Sequence, residues 1–86
     1  MTDVPRKLEQ DALFGALYPQ LRRLAHAQLR RNEAITLLDT TGLVHEAWLR
    51  LANNDGMPLH DPGRFLGYAA RVMRFVVIDF VRQRHA

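Results

Sequence analysis

The stretch "RFLGYAARVMRFVVIDFVRQRH", residues 64–85, decides the fold. Its apolar residues recur at three and four positions, the period of one helix face, and no strand-like alternation interrupts them. At about 100° per residue, Leu66, Ala69, Val72, Met73, Val76, Val77 and Phe80 fall within an arc of roughly 140°, which is the candidate core stripe. Arg64, Arg71 and Arg82 lie within about 20° of one another on the opposite side, with Arg74 some 80° away at the flank. Tyr68, Phe75 and Ile78 fall within roughly 40° of that arginine line. The polar side of this helix therefore carries rings as well as cations.

Rings there need a reason. A merely solvated face would carry charges alone, and the phosphates of duplex DNA ask only for cations. Single-stranded nucleic acid asks for both, since its bases stack on rings while arginines follow the backbone. Arg64, Tyr68, Arg71, Arg74, Phe75 and Arg82 are thus the candidate DNA-binding residues. For Phe75 and Ile78 a second reading stands open, in which they pack against the first helix or the 32–41 connection. Tyr68 suits a wet surface better, because its hydroxyl tolerates water.

The helix has a clear start. In "HDPGRF", Asp61 is the N-cap and Pro62 takes the first helical position, where its missing N–H costs nothing. Before it, "NNDGMP" is dense turn chemistry. That turn ends a second helix, which begins after Asp39, Thr40 or Thr41, all good N-caps, and runs to about Asn53. On it Leu43, Val44, Ala47, Trp48 and Leu51 span roughly 140° and form the core stripe. His45, Glu46, Leu49 and Arg50 are left on the far side. Leu49 there is either one more exposed leucine or the apolar anchor of a partner-docking face.

Upstream, a helical segment runs from about Arg6 to Arg31, with Leu8, Leu13, Leu17, Leu21 and Leu24 on one side. Pro19 sits inside it, so a kink or a break into two helices is expected. "RRNEAITLLDTT" has no clear period and reads as a connection, in which "AITLLD" forms a buried loop or a short helix. Residues 1–5 read as a flexible tail. The expected fold is all-α: a compact bundle of three helices, or four if Pro19 divides the first, in one domain over residues 6–86.

Composition narrows the function. The 86 residues hold twelve Lys and Arg against nine Asp and Glu, for a net charge of +3. Eleven of the twelve cations are arginine, the side chain suited to bidentate phosphate contact and stacking. From Arg64 onward five arginines face one carboxylate, Asp79, so the carboxy-terminal third is the basic end. Cysteine and serine are both absent, which removes disulfides, thiolate metal sites and serine or cysteine nucleophiles. His26, His45, His60 and His85 are scattered, with no metal-binding spacing, and there is no glycine-rich phosphate loop. The expectation is a non-enzyme without metal or cofactor. No run approaches the roughly 20 apolar residues of a membrane span, and no signal peptide opens the chain. A cytoplasmic location fits.

Three quoted segments resemble a known family. "TGLVHEAWLRLAN", then a polar loop and "RFLGYAARVMRFVVIDFVRQR", is similar to domain 2 of the extracytoplasmic-function (ECF) sigma factors of bacterial RNA polymerase. That family writes approximately D-L-V-Q-E-x-F-L-R-L-W and then F-x-x-W-L-x-x-I-A-R-N-x-x-I-D-x-L-R-R. "LFGALYPQLRRLAHAQLRR" resembles its first helix, and "LVHEAWLRL" with "AARVMRFVVIDFVR" is closest to one branch of it. The likeness covers about residues 12–85. It implies a sigma region 2 fold and a role in transcription initiation, without catalysis. The second helix would dock on the β′ coiled coil of the polymerase core through His45, Glu46, Leu49 and Arg50. The third would melt −10 promoter DNA and hold its non-template strand, with a flipped base in a neighbouring loop pocket. An anti-sigma factor is a further implied partner. At two positions the chain departs from the pattern: Tyr68 replaces a frequent tryptophan, and Phe75 stands where an asparagine often helps read a base. The family's second domain, a helix-turn-helix, is not found in these residues. The alternative reading is a helical protein-interaction module, an adaptor or decoy, that binds no DNA.

Overall fold

A computed structural model describes residues 5–31, 38–54 and 56–85, with side chains to residue 83. Three helices account for most of them: α1 (Arg6–Arg31), α2 (Thr40–Ala52) and α3 (Pro62–His85). Each helix packs against both others, and the described residues hold no strand. The fold is the all-α three-helix bundle that the apolar spacing predicts. The segment "AITLLD" lies largely outside the described residues, and so do residues 1–4. Leu38, from its end, is buried in the core.

α1 is continuous through Pro19, so the expected break into two helices does not occur. The reason is position: Pro19 and the residue four before it, Gly15, both face solvent. The proline ring crowds the carbonyl of that fourth residue, and here that residue has no side chain and nothing packs within 4 Å of where a Cβ would stand. Water is free to satisfy the carbonyl left without its N–H partner. Pro5, read as part of the tail, belongs to the helix start, since its carbonyl accepts from the N–H groups of Leu8 and Glu9 at 2.9 and 3.2 Å.

The core collects Leu21 and Ala25 from α1, Leu43, Val44, Ala47 and Leu51 from α2, and Phe65, Ala69, Met73, Val76 and Val77 from α3. All of the α2 stripe is inside except Trp48, which is half-buried and lies 4.5 Å, centroid to centroid, from Phe14. Two residues change sides against the sequence reading. Leu8 is 57% exposed, because it lies about 140° from Leu21 around the helix and so off the buried stripe. Gln10, about 20° from Leu21, is buried instead. Phe65, omitted from the predicted stripe although it falls within the same arc, is the largest completely buried side chain.

Helix starts follow the predicted chemistry. Asp39 caps α2, with Oδ1 accepting from the Gly42 N–H at 2.6 Å. Asp61 caps α3, with Oδ1 accepting from the Arg64 N–H at 3.1 Å. The connection between them is tied down from outside. The Arg6 guanidinium donates to the carbonyls of Asn54 and Met57 at 3.5 and 3.3 Å, and Gln10 Nε2 donates to the Ala52 carbonyl at 3.5 Å. Buried Gln10 thus spends its amide on the end of α2, where carbonyls lack helical partners.

Candidate nucleic-acid interface

The outer face of α3 is open. Arg64, Arg71, Arg74 and Arg82 are exposed, Phe75 is 54% exposed and Ile78 36% exposed. Of the second reading left open by the sequence, packing against α1 does not hold for Phe75, which is more than half open, whereas Ile78 sits beside that helix; residues 32–37 of the connection lie outside the described residues. An exposed phenylalanine between guanidiniums has no role in the core. Its ring is available as a stacking platform. Ile78 and Arg74, with Val77, border a hollow toward Gln28 and Arg31 of α1.

Tyr68 behaves differently. Its ring is half-buried against the core, and its hydroxyl accepts from Asn54 Nδ2 in the preceding loop. That loop is shaped by the same asparagine, whose Oδ1 accepts from the Gly56 N–H at 2.8 Å, a local turn typical of asparagine. Met57 buries its side chain beneath it. The outcome is a concave site lined by Gly56 and Pro58 from the loop and by Arg64, Gly67, Tyr68 and Arg71 from α3. Gly67 leaves its floor open, with nothing within 4 Å of where a Cβ would stand. Three of the six candidate DNA residues, Arg64, Tyr68 and Arg71, therefore share one hollow. Phe75, Arg74 and Arg82 lie further along the same helix.

Sequence reading did not find the loop's contribution. Gly56 and Pro58 read as turn residues only, and the ties from Arg6 and Gln10 cross more than forty positions. The Asn54–Tyr68 bond joins residues on opposite sides of a turn that periodicity does not describe. Nothing in local spacing signals such contacts.

On α2, His45 and Leu49 are exposed, Leu49 at 49%, and Glu46 is half-buried. Arg50 is exposed, yet it leans toward α3, where its guanidinium meets the Asp79 carboxylate at 2.8 Å. The angle explains this: Arg50 lies only about 20° from Leu43, at the border of the buried stripe rather than opposite it. The free part of this face is centred on Leu49. Its neighbours are His45 and Glu46.

The fold is an all-helical bundle whose outer surfaces carry exposed arginines and exposed apolar side chains. Sequence comparison supplies the family: the model of the ECF sigma factor matches residues 7–86. The chain belongs to the ECF sigma factor family. That family serves transcription initiation as a non-catalytic factor, with RNA polymerase and promoter DNA as its partners. Comparison with curated proteins and with solved structures gave no match. Among the described residues, no helix is long and apolar enough to cross a membrane.

Proposed function

We propose that residues 6–86 act as the promoter-opening domain of an ECF sigma factor: α2 docks on the β′ coiled coil, and α3 with its preceding loop captures the non-template strand of the −10 element. The observation that carries this reading is the exposure of Phe75 and Ile78 among four open arginines. An apolar ring left in water is an unused contact, and a base released from its stack fits it. The hollow bounded by Gly56, Pro58, Arg64, Gly67, Tyr68 and Arg71 supports the capture of a flipped base beside it. Arg64 and Arg71 at its rim suit the adjoining phosphates.

For docking, Leu49 is the anchor, with His45 and Glu46 beside it. Arg50 adds to this face only while it keeps or exchanges its partner Asp79. A pull-down with a β′ coiled-coil fragment tests the assignment. Wild type is expected to be retained, and the double variant Leu49→Ala with Glu46→Ala to be lost to background. Equal retention of the two proteins means that docking does not use this face.

A further inference from the structure

The carboxy-terminal half of α1 carries a second cationic surface that the contacts of α3 and α2 leave unused. Arg22, Arg23, His26 and Arg30 line one hollow with Ala27 and Thr40, where α1 passes the start of α2. Positions 22, 26 and 30 repeat every four residues, so they stand on one face at steps of about 6 Å along the axis. Arg23, His26 and Arg30 are exposed, and Arg22 is half-buried. No residue of α3 takes part.

These cations lack partners of opposite charge among the described residues. The two ion pairs there, Arg50 with Asp79 and His60 with Glu9, involve none of them. The carboxylate at the head of α2, Asp39, is engaged by the Gly42 N–H. Arg22 is held in place: its Nη1 donates to Thr41 Oγ1 at 2.8 Å, and its guanidinium lies 6.0 Å from the centre of the Tyr18 ring. One edge of the hollow is therefore fixed before anything binds. Favourable interaction with the helix dipole accounts for Arg30 in the last turn of α1. It does not account for Arg22 and Arg23, which lie well inside the helix, beyond the reach of that effect.

Two kinds of ligand suit a row of arginines: an acidic protein surface or a phosphate backbone. Protein interfaces are centred on apolar or aromatic anchors with charges at the rim. The large exposed apolar side chains of the described residues are Leu8, Leu49, Phe75 and Ile78, and none of them borders this hollow. A phosphate backbone needs no such anchor, and guanidinium groups meet it in a bidentate fork. We infer that the hollow on α1 is a second DNA contact, which grips the sugar-phosphate backbone without reading sequence. This extends the proposed handling of promoter DNA but shares no residue with the α3 face, so either can fail alone.

The test uses the full chain and two fluorescein-labelled single strands, one −10-like and one of scrambled order, titrated by anisotropy at several salt concentrations. The variant is Arg23→Gln with Arg30→Gln, both exposed, and circular dichroism confirms that it folds. Each lost phosphate contact on a single strand lowers the slope of log K against log salt by about 0.7, so the double variant is expected to fall by about 1.4. Its affinity is expected to drop by the same factor for both strands. An unchanged slope overturns the proposal, and so does a drop confined to the −10-like strand. Loss of binding to poly-glutamate with DNA binding intact assigns the hollow to an acidic protein and overturns it too. The α3 reading has its own signature, the preference for the −10-like strand, which this variant is expected to keep.

Discussion

At its amino-terminal end the outer face of α3 meets a loop held by side chains of α1 and α3, whereas further along Phe75 stands in the open with Ile78 beside it. The first region has a shape before any ligand arrives. Asn54 fixes the turn and engages Tyr68, Arg6 holds the loop from α1, Gln10 holds the end of α2 that leads into it, and Phe65 seats the start of the helix in the core. The second region is more open, with Phe75 54% exposed and Ile78 bordering a hollow shared with Gln28 and Arg31 of α1. A shaped hollow can discriminate between ligands, because its fit is set in advance. An exposed ring beside arginines adds affinity to any base that reaches it. Under the proposed function, selection and adhesion are divided between two stretches of one helix.

That division predicts unequal costs of mutation. The largest belongs to Phe65→Ala, which empties a completely buried site at the base of the shaped region. A loss of about 3–5 kcal/mol in chemical denaturation is expected, enough to threaten the whole fold. Phe75→Ala, in the open region, is expected to change stability by no more than about 0.5 kcal/mol. Comparable losses at the two sites would abolish the contrast.

Tyr68→Phe comes next. It removes the hydroxyl that Asn54 engages and leaves the ring in place. About 1 kcal/mol of stability is expected to go, with faster amide exchange at Gly56 and Met57 as the loop loosens. Unchanged exchange there would show that the ties from Arg6 suffice to hold the loop. The smallest effect is at Arg50→Ala. Its pair with Asp79 joins α2 to α3 but is close to half exposed on both sides. Solvent screening holds its contribution below about 0.5 kcal/mol, so melting should barely move. A large drop would mean that this bond, rather than the shared core, sets the packing of α2 on α3.

The two regions were also unequally legible. Helical spacing in residues 64–85 places the arginines and rings on one face, and the structure keeps them there. The caps at Asp39 and Asp61 follow from their side chains alone, because capping is a local act. What spacing missed was tertiary. Whether Phe75 faces water depends on where α1 runs, and nothing in its own helix decides that. Tyr68, read as the surface ring, is half-buried because a loop folds over it, while Phe75 is the more open of the two. Leu8 and Gln10 show the opposite error, where residue type was followed although helical geometry already pointed the other way. Arg50 was grouped with its outward neighbours, and only the approach of α3 supplied Asp79.

The central claim is that the open face of α3 holds an unpaired promoter strand. Its most direct measurement is an anisotropy titration of a −10-like single strand, a scrambled strand and a −10 duplex against wild type and the pair Arg71→Ala with Phe75→Ala. Wild type is expected to prefer the −10-like strand over both others. The paired variant is expected to lose about 1–3 kcal/mol of that binding from the missing ring, and more from the missing arginine, while melting like wild type. A variant that binds all three DNAs as wild type does would contradict the account, and the face would then belong to a protein partner.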